Sequence, residues 1–350
     1  MIGNRIRQAR LANSLSLQEL ADALEERGYK ITRAALSKFE TGKLVPSAAF
    51  IRLLARTLGV GIGFFSWQDL PNFGIQLFRE KEDLQPKQQM ELSAFLEIKL
   101  EQTLHVNSLL GIAPEPFAFD PLALEPGNFQ PQIDRLVNDL RAKWGNASQP
   151  LASICALLEN NGWCVFEMPD IFGTSAVCGR ETSSGIPFLA FSHMGTIDDT
   201  RCRMLRELSY AYISCQKKEA MYDMAGAFSR AMLLPSACVQ GEFANATIAP
   251  DQTTLTLLKR KYGIPKIQIR MRLREQGLFY SPMSTPKIIE AIQARKLSES
   301  KLEIMSFLEL PSRLTMNILR ARQSGLLTAE DADSMLPIQY ASGVSYNLLF

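Results

Sequence analysis

The first 67 residues of the chain mark their own helix starts, and this constrains the fold more than any other feature. Ser16 opens S-L-Q-E, where Glu19 stands three residues on and completes a capping box, and Leu20, Ala21 and Leu24 follow at core spacing. Thr32 can cap R-A-A-L-S-K-F-E, and Ser47 can cap a helix whose apolar positions are Phe50, Ile51, Leu54 and Leu58. Ahead of these, Ile2, Ile6 and Leu11 share one face of a first helix, with Arg5, Arg7 and Arg10 around it. In the third helix Ala35, Leu36 and Phe39 can pack inward, while Arg33, Ala34, Ser37 and Lys38 face out. A turn at Gly28 and the segment T-G-K-L-V-P-S separate the pieces.

Charge singles out the same segment. The whole chain carries a formal +2, but residues 1–67 hold ten Lys/Arg against five acids, or +5, which leaves −3 for the remaining 283 residues. A small basic end on a mildly acidic body fits a nucleic-acid-binding module attached to something else. Several short helices with a polar-faced one in third place suit a helix-turn-helix, whose second motif helix enters the major groove.

The stretches R-I-R-Q-A-R, S-L-Q-E-L-A, A-L-S-K-F-E-T-G-K and P-S-A-A-F-I-R-L-L-A-R-T-L-G-V resemble the Cro/cI-type (XRE) helix-turn-helix family over about residues 3–66. The departure is E-E-R-G-Y-K-I, a few residues longer than the family's usual turn. The resemblance implies that Gln18 and Lys43 contact phosphate and that Thr32, Arg33, Ala34, Ser37 and Lys38 line the groove-facing surface. Phosphate contacts fix register and base contacts carry sequence information. Arg33 is the candidate for a bidentate contact to guanine, which contributes about 1–3 kcal/mol of discrimination. Such proteins usually dimerise, so a homodimer on a palindromic operator in double-stranded DNA is expected, with half-sites about one helical turn apart.

A chain of 350 residues exceeds one compact core, and two or three units are expected. With 46% hydrophobic and 21% charged residues it is globular and not intrinsically disordered. No apolar run is long enough for a membrane helix, the N-terminus lacks a signal-peptide core, and six scattered cysteines read as reduced thiols, so a cytoplasmic location is expected. The predicted organisation is a helix-turn-helix unit over 1–67, a connector with an amphipathic helix over 68–128, an α+β body over 129–281 and a helical region over 282–350. The connector helix, about 86–110, has apolar Met90, Leu92, Phe95, Leu96, Ile98 and Leu100 with charged residues opposite. In the body, helices Gln132–Trp144 and Leu151–Asn160 precede three apolar strands, W-C-V-F-E-M, A-V-C-G and I-P-F-L-A-F-S. Helices dominate from Thr200 onward, and Thr328 starts T-A-E-D, a weak capping box. The fold class is therefore mainly α with a small sheet in an α+β body.

The order of body elements resembles the ImmA/IrrE-like metallopeptidase family over about residues 75–281, which implies a zincin-like fold. The matching segments are F-R-E-K-E-D-L, W-C-V-F-E-M-P, F-L-A-F-S, D-D-T-R-C-R-M-L-R-E-L-S-Y and M-A-G-A-F-S-R-A-M-L-L-P. The family's H-E-x-x-H puts two imidazoles on one helix face for zinc, with the Glu acting on metal-bound water. Here the segment reads R-E-L-S-Y: Arg206 and Tyr210 stand at the ligand positions and Glu207 at the acid/base position. A guanidinium has no lone pair to offer and repels the metal. Met224 or Ala220 falls where the third ligand belongs, with Glu219 one residue away. Only two histidines occur, His105 and His193, and neither is placed to substitute. A degenerate active site is expected, with no metal, no cofactor and no catalysis, and with Glu207 paired to Arg206, Arg203 or another buried cation. Cys202 and Cys215 read as ordinary thiols.

The combined expectation is a sequence-specific transcriptional regulator whose protease-like body serves sensing, oligomerisation or the binding of a protein or small ligand. Two alternatives accompany it: an antitoxin or mobile-element control protein that sequesters a partner, and an active metallopeptidase that cleaves a repressor. The basic run from Lys259 to Arg274 outlines a second nucleic-acid surface, with a structural role preferred.

Overall fold

Each N-terminal cap forms where the sequence places it in the computed structural model, which describes residues 2–67, 72–81, 83–193, 195–244, 246, 248–278 and 309–336. Helices α1 (Ile2–Ala12), α2 (Leu17–Glu26), α3 (Arg33–Glu40) and α4 (Ala48–Leu58) enclose Ile6, Leu20, Leu24, Leu36, Phe50 and Leu54. The Ser16 hydroxyl accepts from Glu19 N at 3.1 Å while Glu19 accepts from Ser16 N at 2.7 Å. Thr32 accepts from Ala35 N and Ser47 from Phe50 N, both at 3.2 Å. Both motif helices end the same way: Gly28 at φ 82° and Gly42 at φ 72° let the next residue's N–H reach back to Leu24 and Lys38 carbonyls. A 3-10 turn, Ile62–Ser66, closes this unit.

The sheet explains the apolar runs in the body. Strands β1 (Ile75–Leu77), β3 (Cys164–Glu167), β4 (Ala176–Glu181) and β5 (Pro187–Phe191) lie in the order β1-β4-β5-β3, with β3 and β5 parallel and the other pairs antiparallel. A second, two-stranded sheet joins β2 (Leu122–Ala123) and β6 (Ile213–Ser214). Cys164, Phe166, Val177, Phe188 and Ala190 face one side of the larger sheet, in one apolar cluster with the core of α1–α4. Val165, Ala176, Cys178, Leu189 and Phe191 face the other. Both faces are covered, which is why β5 reads F-L-A-F without a polar alternation.

Helix α5 (Pro86–Leu109) lies between α1 and the sheet. The sequence pattern predicted a charged outer face, and the structure corrects this: Glu91, Glu101, Gln102 and Thr103 are buried alongside Leu92, Phe95 and Leu96, while Met90 is 47% exposed. The cause is packing on several sides at once. Polar pairs run along the α1–α5 contact, from Arg5–Glu101 through Gln8–Glu97 at 2.9 Å to Ser14–Glu91 at 3.0 Å.

On the far side of the sheet pack α6 (Gln130–Lys143), α7 (Ile154–Asn160), α8 (Ile197–Ser209), α9 (Lys218–Leu233), α10 (Ser236–Phe243), α11 (Gln252–Tyr262) and α12 (Lys266–Glu275). Helix α7 starts at Ile154 and not Leu151, because Ser153 caps it and the Leu151 carbonyl accepts from Arg201 at 2.7 Å. The basic run is largely neutralised, with Lys259 on Asp198, Lys261 on Glu242 and Arg272 on Asp134. Of the predicted helical region, residues 282–308 and 337–350 lie outside the described residues. The intervening part contains α13 (Arg313–Gln323) and α14 (Ala329–Met335), the latter capped by Thr328 through Asp331 N at 3.0 Å. Among the described residues the fold is mainly helical, with fourteen α-helices and a small mixed sheet. No described helix is long and apolar enough to cross a membrane.

Candidate nucleic-acid interface

Helix α3 is held from beneath by backbone, charge and one leucine. Leu36 is fully buried. Gly3 of α1 sits so close to the end of α3 that a Cβ there would lie 2.5 Å from the Phe39 and Glu40 carbonyl oxygens. Arg10 grips Glu40 with two hydrogen bonds, Nε–Oε1 at 2.6 Å and Nη2–Oε2 at 3.0 Å, and donates through Nη1 to Leu15 O at 2.7 Å. A planar guanidinium paired bidentately in this way fixes orientation as well as distance.

The opposite face of α3 is open. Thr32, Arg33, Ala34 and Lys38 are exposed, and Ser37 is half-buried beside them. Thr32 uses its oxygen as the N-cap acceptor, which leaves its O–H to donate outward. Lys43 is exposed just past the helix, in the turn made by Gly42. No described carboxylate pairs with Arg33, Lys38 or Lys43. Gln18, at the start of α2, is exposed as well and donates to Asp22 Oδ1 at 2.8 Å. The seven residues singled out for DNA therefore all have solvent access, and five of them line one helix.

Two features differ from the sequence picture. Arg5 and Arg10, read as part of a basic helix surface, are buried in pairs with Glu101 and Glu40, so of the three α1 arginines only Arg7 faces solvent. The partners stand 96 and 30 residues away, where local patterning cannot reach them. The long turn between α2 and α3 is pinned by Tyr29, whose ring stacks on Phe50 with centroids 4.9 Å apart. An aromatic next to the turn glycine was the available signal for this. Beyond Lys43, Leu44 and Val45 stay exposed, Val45 at 83%.

The R-E-L-S-Y segment occupies the last turn of α8. Glu207 Oε1 pairs with Arg79 Nη1 at 2.7 Å and Lys81 Nζ at 2.8 Å, both from the segment between β1 and α5. Arg206 turns away, donating to the Tyr222 hydroxyl at 2.9 Å with its guanidinium 4.9 Å from that ring's centroid. Tyr210 lies under Arg79 at 5.4 Å. Burial lowers the Lys81 ammonium against the pull of Glu207, and burial raises the Tyr210 phenol. Met224 is buried on α9 and Glu219 is exposed. His105 stacks on Trp67 at 4.4 Å, and His193 lies 3.9 Å from Glu167. Cys202 is a buried thiol pushed up to about 12 by desolvation. No described group of three or more His, Cys, Asp or Glu could hold a metal. With Glu207 engaged by two cations and a guanidinium and a phenol at the neighbouring positions, these residues do not fit a zinc ion.

No curated protein and no solved structure shows significant similarity to the chain. Residues 6–65 match the helix-turn-helix family model, a stretch that includes every residue of the exposed α3 face and its flanking Gln18 and Lys43. The N-terminal unit of this chain is thus an XRE-type helix-turn-helix domain, the DNA-binding module of a transcription regulator.

Proposed function

We propose that the protein is a sequence-specific regulator that reads duplex DNA with α3 and that its body, similar in element order to an ImmA/IrrE-like peptidase, is a non-catalytic unit for sensing or association. The observation that carries the DNA reading is the α3 face: Arg33, Ala34 and Lys38 exposed and unpaired on a helix whose rear is fixed by Gly3, Leu36 and the Arg10–Glu40 pair. Arg33 supplies a fork for guanine O6 and N7, Ala34 an apolar contact, and Lys38 with Lys43 and Gln18 the phosphate contacts. A homodimer places two such faces on a palindromic operator. The non-catalytic reading of the body rests on the charge partners of Glu207. A base that activates water needs an open position, and this carboxylate is buried and held by Arg79 and Lys81.

A footprint of the full chain on DNA upstream of its own gene tests the reading. Protected sequence with two-fold symmetry is expected, and Arg33→Ala combined with Lys38→Ala should abolish protection. Unchanged protection by that double variant would remove α3 as the reading helix.

A further inference from the structure

The end of α8 gathers more positive charge than it neutralises. Arg79, Lys81 and Arg206 surround Glu207, three cations to one carboxylate. The helix C-terminus adds only about half a negative charge. Lys81 is buried against Glu207. The two arginines are different, because each is half-buried and each lies over a tyrosine, Arg79 over Tyr210 and Arg206 over Tyr222. Each donates through Nη1 only, to Glu207 and to the Tyr222 hydroxyl. Their Nε and Nη2 groups meet no acceptor among the described residues. The Tyr210 phenol feels the charge of both guanidiniums, which places the two around one ring. Beneath them Glu207 is 93% buried and its Oε2 has no hydrogen-bond partner, so a donor group is missing at this point.

We infer that Arg79 and Arg206, with the Tyr222 hydroxyl, bind a small oxyanionic ligand, a carboxylate or a phosphate, at the C-terminal end of α8. A guanidinium edge matches two oxygens of either group, and a tyrosine under its face leaves that edge free to do so. A hydroxyl on such a ligand, or a water carried with it, would satisfy Glu207 Oε2. Arg79 lies in the segment that leads directly into α5, and α5 packs on α1 of the DNA-binding unit. An anion that draws Arg79 from Glu207 would act on that segment. This consequence rests on the sensing role proposed for the body, whereas the binding itself does not.

The test is calorimetric titration of the full chain with succinate in one arm and inorganic phosphate in the other, at matched ionic strength. Saturable binding of at least one is expected, weakened tenfold or more by Arg206→Gln and unchanged by Arg260→Gln, an exposed cation on α11. The stronger arm identifies the oxyanion. Should Arg206→Gln fail to give the wild-type circular dichroism, Arg79→Gln serves as the same test. No saturable binding in either arm, or binding that survives both substitutions, overturns the site. Operator affinity measured with and without the anion separates the two claims: a change supports sensing, and no change with anion binding intact retains the site and removes the sensing role.

Discussion

Gly3 has no room for a side chain, and this single absence decides where α3 sits. Its backbone rests against the last two carbonyls of the reading helix. Gly3→Ala must push the two helices apart, and overpacking of this kind costs about 1–3 kcal/mol. A lowered urea midpoint together with weaker operator binding is expected, since the shift displaces the face that carries Arg33. Arg10 is the second residue of the seat. Arg10→Ala leaves Glu40 buried without its partner, and loss of one member of a buried pair costs about 3–5 kcal/mol. The chemical-denaturation midpoint reads this, and an unchanged midpoint would mean the pair contributes nothing. Neither residue was legible as a seat from sequence. Arg10 looked like surface charge because its partner lies on another helix, and a glycine near a helix start carries no local sign of what it touches.

At the scale of elements, what local chemistry dictates was legible. Ser16, Thr32 and Ser47 cap helices because their side-chain oxygens meet N–H groups three residues on, a requirement written within four positions. Ser16→Ala should cost about 1 kcal/mol of stability, measured by thermal unfolding. The Ser16 backbone N–H, then its hydroxyl, hold the Glu19 carboxyl below its ordinary 4.5. A depressed folded value means the contribution is present above the ordinary value and is lost as pH falls through the folded one. Destabilisation by Ser16→Ala should therefore shrink below about pH 4, which unfolding curves across pH would show. Helix α5 was half-legible: its length and Pro86 start follow from sequence, but the burial of Glu91 and Glu101 depends on α1 lying across them. The apolar strands were legible to within a residue or two, since two covered faces impose an unbroken apolar run.

Across the whole molecule, connections between distant segments do what sequence could not announce. The core of α1–α4 continues through α5 to one face of the sheet. Glu309 is fully buried, accepts from Ile154 N and Cys155 N at the start of α7, and pairs with Arg201. Glu159, at the other end of α7, accepts from Ser312 N and Arg313 N where α13 begins. Asp331 of α14 accepts from Ile62 N at 2.9 Å, which ties this last helix back to the DNA-binding unit. Removing the acid at 309 strands Arg201 in the interior, so Glu309→Ala should lose about 3–5 kcal/mol and lower the melting temperature of the chain as one transition. Glu207 shows the same limit of sequence reading: its cationic partners come from residues 79 and 81, outside the helix on which it was identified.

The central claim, that α3 reads base sequence while its flanks hold phosphate, is tested most directly by comparing Arg33→Ala with Lys43→Ala on operator and on unrelated duplex across a range of salt. Arg33→Ala should weaken operator binding by about 1–3 kcal/mol and leave unrelated duplex nearly unaffected, so that discrimination falls. Lys43→Ala should weaken both equally and reduce the salt slope by about 1. If Arg33→Ala lowers affinity for both duplexes alike, or if neither variant changes operator binding, α3 is not the element that reads the sequence.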